Sequence, residues 1–278
     1  MQNKNCNEIS AGIVLFNPEI NKLRKNLMSI CNQVKMVYLI DNGSDNLKDI
    51  ESLLLDFKNV SLHKFYCNYG IAKALNEICV IAQKNNYKWV ITLDQDSVCA
   101  DNLVEKYALL KKENSNIGQI TCIFQDINFK KENEEFNGSK EIEWCITSGA
   151  LLNIDAWRTV GGFDENLFID AVDYDICLSM REHGFKIVQA GFIGLFHEIG
   201  DGHEVKIGPL TIKTWNHSAF RRYYSTRNML IVAKKHHLGV LRCLLGVFKH
   251  IILIFVFEDN RIEKLKKGLL GVYDGLRY

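Results

Sequence analysis

The stretch Trp89-Val90-Ile91-Thr92-Leu93-Asp94-Gln95-Asp96 decides the fold of this chain. Its first five residues form a short apolar run with β-branched side chains, which is typical of a central parallel strand buried on both faces. In α/β proteins the carboxyl ends of such strands border the crevice where ligands bind. The sequence therefore predicts an α/β fold with a ligand site that begins at Asp94.

Asp94 and Asp96 stand one residue apart. Two carboxylates this close repel each other unless a cation or hydrogen-bond donors neutralise them. A hard divalent ion such as Mg²⁺ or Mn²⁺ would do so, with a diphosphate supplying further oxygen ligands. An ordinary turn with two solvated carboxylates is the alternative, because so short a motif often occurs by chance. The rest of the chain favours the first interpretation.

Strand and helix signals alternate along the first part of the chain, which predicts a mostly parallel, Rossmann-like sheet flanked by helices. Strands are predicted at Ile9–Phe16, Met36–Ile40 and Val60–Phe65, and before Asp94, with helices at Ile20–Gln33, Leu47–Phe57 and Ile71–Lys84. The polar segment Gln125–Glu143 has no clear period and is predicted to be a mobile surface loop.

The composition of the chain narrows the class of protein. Its 278 residues, 47% hydrophobic and 24% charged, are typical of one large globular domain. A net charge of +1 argues against a nucleic-acid partner. The nine cysteines form no C-x-x-C pair, so we expect reduced thiols in a cytosolic protein rather than a zinc site. The polar first ten residues predict no signal peptide.

Charge is uneven along the chain. Residues 219–278 contain 12 Lys and Arg against 4 Asp and Glu, which suggests an anionic surface as partner. The apolar segment His236–Phe257 is interrupted by Arg242 and Lys249, and its longest apolar run is far shorter than the roughly 20 residues of a spanning helix. We expect a basic amphipathic helix at a membrane surface. A helix that packs in the core or in a homo-oligomer is the alternative.

Further acidic residues and a histidine follow the central strand. Asp170 and Asp173 are three residues apart, so they would share one face of a helix that starts here, and acidic residues at a helix start are also favoured by the helix dipole alone. His197 ends another apolar run. A lone histidine is most often structural, but after a strand and opposite a carboxylate pair it is a plausible third metal ligand.

Taken together, these residues resemble the inverting glycosyltransferases of family two, over a span from about Ile9 to Asn228. The resemblance rests on Ile40-Asp41-Asn42-Gly43-Ser44, Asn68-Tyr69-Gly70 with Ala72 and Asn76, Leu93-Asp94-Gln95-Asp96, Gly161-Gly162-Phe163-Asp164 and Val172-Asp173. The order and spacing of this set are more specific than any one of its members.

A narrower resemblance is to the bacterial rhamnosyltransferase branch. It rests on Phe168-Ile169-Asp170, Val172-Asp173, His197-Glu198-Ile199-Gly200-Asp201, His217-Ser218, Arg221-Arg222-Tyr223-Tyr224 and Arg227-Asn228. Many relatives in the wider family have Glu-Asp where this chain has Val172-Asp173. The aspartate is present, so the expected base is present, whereas a contact from the glutamate is absent.

The resemblance implies a GT-A fold, which we place over residues 1–215. Residues 216–278 are predicted to form a C-terminal helical segment, and its charge and apolar pattern lead us to expect that it associates with a membrane. It implies Asp173 as general base, with Asp170 as the next candidate. Asp96 would bind Mg²⁺ or Mn²⁺ with His197, and Asp94 would contact the metal through water or the ribose. Nucleotide-sugar binding would involve Asn17, Asp41, Asn42, Asn68, Gly70, Asn76, Asp94, Gln95, Arg222 and Arg227. The two arginines suit phosphate oxygens, or equally a lipid-facing surface.

The expected function is transfer of L-rhamnose from dTDP-L-rhamnose to a saccharide or polyprenyl-linked acceptor in O-antigen or other surface-polysaccharide assembly. The enzyme would lie in the cytoplasm, peripherally at the inner face of the membrane. One alternative is a UDP-hexose or UDP-galactofuranose donor. Another is a nucleotide-binding module without activity, although no G-x-G-x-x-G follows the first strand. A phosphohydrolase would need a second metal-ligand cluster, and no further residues suggest one.

Overall fold

The computed structural model describes residues 7–113, 116–126, 134–197, 203–207, 210–214 and 217–278. The protein is mixed α/β and consists of two compact units. The first unit contains residues 1–166 and 173–198, and the second contains residues 167–172 and 199–278. The domain boundary predicted at residue 216 stays a prediction.

The first unit begins with alternating parallel strands and helices, as predicted. These elements are β1 (Ile9–Leu15), α1 (Ile20–Ile30), β2 (Val37–Asn42), α2 (Leu47–Leu54), β3 (Val60–Phe65), α3 (Ile71–Lys84) and β4 (Trp89–Asp94). The four strands are parallel and lie in the order β3-β2-β1-β4. Ile13, Leu39 and Ile91 are fully buried in the core, which explains why these strands are continuous apolar runs.

The second half of the same sheet is mixed in direction. Its elements are β5 (Val98–Cys99), α4 (Leu103–Glu113), β6 (Ile117–Asp126), β7 (Ser139–Ile142), β8 (Ala150–Asn153), α5 (Ile154–Thr159), α6 (Val172–Glu182) and β9 (Lys186–His197). The order continues β4-β8-β6-β9-β5, with β7 also on β9. Strand β8 is antiparallel to both β4 and β6, whereas β6 and β9 are parallel.

The prediction of a loop at Gln125–Glu143 is wrong where this segment forms strands. Strand β6 continues through Asp126, and β7 pairs antiparallel with β9. The prediction failed because β7 is an exposed edge strand with the sequence Ser-Lys-Glu-Ile, so it has no apolar face to give a two-residue period. Residues 127–133 of that segment lie outside the described residues.

The second unit contains a hairpin and three helices. They are β10 (His203–Ile207), β11 (Leu210–Thr214), α7 (Ala219–Lys235), α8 (Val240–Phe257) and α9 (Arg261–Arg277). The predicted C-terminal helical extension is therefore confirmed. Helices α7 and α9 pack so closely that a Cβ atom on Gly271 would lie only 2.5 Å from the carbonyl oxygen of Tyr223. Among the described residues, no helix has both the length and the apolar character needed to cross a bilayer.

Candidate active site

Two acidic strand ends flank strand β1. Parallel pairing sets Leu15 opposite Asp41 of β2, and Val14 opposite Asp94 of β4. Because the carboxyl ends of parallel strands meet at one edge of a sheet, Asp41 and Asp94 lie at the same edge on either side of β1. The structure thus brings together two residues that the sequence places more than fifty positions apart.

The loop after β1 is tied to the loops on both sides. The Gln95 side-chain oxygen accepts a hydrogen bond from the Phe16 backbone N–H at 2.9 Å. Asn17 has a left-handed backbone with φ of 48°, and its N–H donates to Ser44 Oγ at 2.8 Å. Its side-chain oxygen accepts from Asp45 N–H at 2.7 Å. Asn17 and Gln95 therefore shape the edge of the sheet, and their contact with a nucleotide sugar stays a prediction.

Asp41 and Asn42 are buried at the end of β2. Only 1% of Asp41 is exposed, and both its carboxylate oxygens lie 3.3 Å from the Ser44 backbone nitrogen that donates to them. The Asn42 amide nitrogen donates to the side-chain oxygen of Asn68 at 3.0 Å and to the carbonyl of Gly70 at 3.2 Å. The described contacts thus hold together the predicted nucleotide-binding residues of two neighbouring loops.

The side chains of Asn26 and Ser148 fix the backbone of Asp94, a contact that the sequence did not predict. Its N–H donates to Ser148 Oγ at 3.0 Å, and its carbonyl accepts from the amide of Asn26 at 2.6 Å. Asn26 is fully buried on the apolar face of α1. A polar side chain at a core position of an amphipathic helix was the available signal, since a buried amide needs partners.

The Asp94-Gln95-Asp96 turn offers hard oxygen donors that fit Mg²⁺ or Mn²⁺. Strand β5 pairs with β9 through Val98 and Phe196, so the backbone of His197 lies close to this turn. The side chain of His197 lies outside the described part of the chain. Within that part no group of three or more His, Cys, Asp and Glu residues could hold a metal ion. The metal role of Asp94, Asp96 and His197 stays a prediction.

Asp173 lies in the first turn of α6 in the first unit, where the sequence predicted a helix start. Its carboxylate accepts a hydrogen bond from the backbone N–H of Tyr174 at 2.9 Å. Its charge adds to the effects that raise the pKa of the buried Cys145 thiol, of which the hydrogen bond with Cys177 and burial are the largest. Asp173 as a whole residue is half-buried.

The prediction that Asp170 shares a helical face with Asp173 is wrong. Helix α6 begins at Val172, and Asp170 precedes it with a left-handed φ of 66°. Phe168 and Ala171 are left-handed as well, which is costly for residues with side chains. Asp170 instead accepts three hydrogen bonds from Arg221, two from Nε at 3.0 and 3.3 Å and one from Nη2 at 2.9 Å.

Asn228, fully buried in α7, holds this strained segment of the second unit. Its amide nitrogen donates to the carbonyls of Leu167, Ile169 and Asp170, at 2.5, 2.7 and 3.0 Å. The sequence motif Arg227-Asn228 contained this residue, but no local pattern indicated its partners.

The two arginines predicted to clamp phosphate have partners within the second unit. Arg222 is buried and bonded to Glu258, which also accepts from Lys264 Nζ at 3.0 Å. The Arg227 guanidinium lies 4.8 Å from the ring centroid of Tyr224, and its Nε donates to Asn228 at 3.0 Å. These contacts show that both arginines stabilise the second unit. Their binding to phosphate oxygens stays a prediction.

Asn76 of α3 holds the loop that contains Gly161-Gly162-Phe163, which also belongs to the first unit. Its side-chain oxygen accepts from the Phe163 backbone at 2.9 Å and from the Trp157 indole at 3.0 Å. Its nitrogen donates to the Phe163 carbonyl and to Glu165, each at 2.9 Å. These four hydrogen bonds indicate a positioning role, and contact with the donor stays a prediction.

Comparisons with known proteins identify the family of this chain. The family model described as Glycosyl transferase family 2 matches residues 10–169. The dTDP-rhamnosyl transferase RfbF of Shigella flexneri is 31% identical over 293 residues, which cover 97% of this chain and 95% of that protein.

Two solved structures show the likeness in fold. Staphylococcus aureus TarS in complex with UDP has a TM-score of 0.59 at 13% identity, over 84% of this chain and 68% of that one. The mannosyltransferase PcManGT of Pyrobaculum calidifontis, with GDP-Man and Mn²⁺, has a TM-score of 0.57 at 13% identity, over 97% and 75%. The GT-A fold is confirmed, and the chain belongs to glycosyl transferase family 2.

Proposed function

We propose that this chain transfers L-rhamnose from dTDP-L-rhamnose to a saccharide acceptor, with inversion at the anomeric carbon. The dTDP-rhamnosyl transferase that it resembles along nearly its whole length supports the donor. The observation that carries the reaction type is the sheet edge where Asp41 and Asp94 flank β1, in the same unit as Asp173 at the start of α6. A nucleotide sugar needs such an edge for its base and diphosphate.

Asp173 would act as the general base. It takes the proton of an acceptor hydroxyl while that oxygen attacks the anomeric carbon from the face opposite the diphosphate. The new glycosidic bond forms as the bond from the sugar to the diphosphate breaks, and dTDP leaves with both bonding electrons. Asp170 is the second candidate, but its carboxylate is already paired with Arg221.

Asp96 would hold Mg²⁺ or Mn²⁺, with His197 as co-ligand and Asp94 as a water-mediated or ribose contact. The metal supplies positive charge that stabilises the departing diphosphate without proton transfer. The Mn²⁺ in the complex of the similarly folded mannosyltransferase supports a divalent ion. The carboxylates of Asp94 and Asp96 at the end of β4 are hard oxygen donors, which also supports binding of a divalent ion.

The acceptor would be a lipid-linked saccharide at the inner face of the cell membrane, to which the enzyme binds peripherally. Helix α8 supports this location, because Leu241, Leu245 and Phe248 are exposed beside the exposed cations Arg242 and Lys249. The competing proposal is that this face binds a second copy of the chain.

A donor panel tests the proposed function. The purified protein is incubated with dTDP-L-rhamnose, UDP-glucose or UDP-galactofuranose and a panel of saccharide acceptors, and nucleotide release and product are measured. We expect transfer from dTDP-L-rhamnose alone, with NMR showing an inverted anomeric configuration. Transfer from a UDP sugar instead would contradict the proposed donor, and absence of transfer with tight nucleotide binding would favour a binding module.

A further inference from the structure

Trp144 is an exposed aromatic residue that the reaction described above does not use. It lies between β7 and β8, and 48% of it is exposed. Its ring meets the ring of Tyr174 edge to face, with centroids 6.0 Å apart and an interplanar angle of 87°. A tryptophan exposed to this extent presents a large, flat apolar face to solvent, which a ligand ring can cover.

Trp144 lies on a segment that connects the base to the metal side of the site. At one side, its partner Tyr174 follows Asp173 and donates its backbone N–H to that carboxylate. At the other side, four residues along the chain, Ser148 accepts from the backbone of Asp94 at 3.0 Å. All these residues belong to the first unit. An acceptor must lie between the base and the donor, and Trp144 is linked to the base side by its ring contact with Tyr174 and to the donor side by the chain that leads to Ser148.

The chemistry of the ring suits a sugar. Pyranose rings have polar rims and apolar C–H faces, and a tryptophan offers a large, flat apolar surface with one N–H donor. Because Tyr174 restrains the indole, little conformational entropy remains to be lost on binding. We propose that Trp144, supported by Tyr174, is the platform on which the acceptor saccharide stacks so that its hydroxyl meets Asp173. This inference rests on the proposed function for the identity of the base.

The test separates acceptor binding from donor binding. With the best acceptor from the panel, Trp144→Ala should raise the acceptor KM about tenfold, which is the effect of losing about 1.4 kcal/mol of binding. The donor KM should stay within about twofold. Trp144→Phe retains a flat ring and should recover most of the affinity. Leu55→Ala removes another exposed apolar side chain, at the end of α2, and is the matched control.

A binding measurement keeps this inference distinct from the proposed function. Methyl glycosides of the candidate acceptor sugars are titrated into the wild type and Trp144→Phe without donor, and quenching of tryptophan fluorescence is followed. Quenching in the wild type that is lost in Trp144→Phe supports the platform, even if no donor is turned over. An unchanged acceptor KM in Trp144→Ala, or an equal rise in the donor KM, would overturn it.

Discussion

A substitution at Asp173 can distinguish loss of the transfer reaction from loss of nucleotide binding. Asp173→Asn preserves shape but cannot accept the acceptor proton, so kcat should fall by about 10²–10⁴-fold while the Kd for dTDP stays nearly constant. Rates and nucleotide binding would be measured on the same preparation. Asp170→Asn is the comparison, because it loses only a carboxylate already bonded to Arg221. Near wild-type turnover in Asp173→Asn, with loss in Asp170→Asn, would move the base to Asp170.

Asp96 carries the metal prediction. Asp96→Ala should weaken donor binding in the presence of Mg²⁺ or Mn²⁺ but not in EDTA, because the ion and the diphosphate bind together. Isothermal titration with dTDP, with and without the metal, measures this difference. His197→Ala should behave in the same way if His197 is a co-ligand. Full activity of well-washed protein in excess EDTA would remove the metal from the mechanism.

His217 makes stability depend on pH. Burial, together with the charges of Arg221 and Arg222, lowers its pKa from 6.5 to about 4. Between those values the unfolded chain binds a proton that the folded protein does not, so stability should fall as the pH drops from 6.5 towards 4. Melting temperatures at pH 7 and pH 5 should therefore differ more in the wild type than in His217→Gln.

The exposed His237 provides the control for that measurement. His237→Gln should retain the full difference between the two melting temperatures. If His217→Gln retains it as well, other groups cause the loss of stability at low pH.

At the scale of elements, glycines decide how closely α7 and α9 pack. A Cβ atom on Gly275 would lie 2.7 Å from the carbonyl oxygen of Arg227, a backbone atom that cannot rotate away. Gly275→Ala should therefore destabilise the fold by about 1–3 kcal/mol, as overpacked positions do. Urea denaturation gives the change in the free energy of unfolding.

Gly246 of α8 is a matched control for this substitution, since no atom of the described residues lies within 4 Å of a Cβ atom there. Gly246→Ala should be neutral or stabilise by up to about 1 kcal/mol, because alanine favours the helix. If both substitutions changed stability in the same direction by the same amount, helix propensity rather than packing would control α9.

At the scale of the whole molecule, α8 carries the membrane prediction. Leu241, Leu245, Phe248 and Phe255 are exposed and spaced to lie along one side of the helix. The helix has no acidic residue, whereas Arg242 and Lys249 accompany the apolar side chains. Two copies meeting through this face would bring like charges together, so we expect an anionic bilayer as the partner, with about 1 kcal/mol gained per cation near its surface.

Liposome flotation measures this binding. The protein should float with vesicles that contain anionic lipid, and less so as the salt concentration rises. Phe248→Glu should abolish flotation, whereas Leu55→Glu, on another exposed apolar residue, should not. A protein that stays unbound, and that dissociates from an oligomer on Phe248→Glu, would support self-association instead.

The sequence by itself determined the parallel half of the sheet and the family, and the residues that it suggests for the site stay a prediction. Strand β4 and helix α3 lie where the sequence pattern predicts them, since buried runs and apolar helix faces reflect contacts along one element. Strand β7 escaped prediction because it has no such face.

Only the tertiary structure decided which polar groups meet. Arg221 and Asp170 are 51 residues apart in the chain, and Asn228 lies 61 residues from Leu167, so no local pattern could pair them. The same holds for Trp144 and Tyr174. Periodicity records whether a side chain is buried. The hydrogen-bond partners of a buried polar side chain depend on how distant segments pack, and that packing is decided only when the whole core forms.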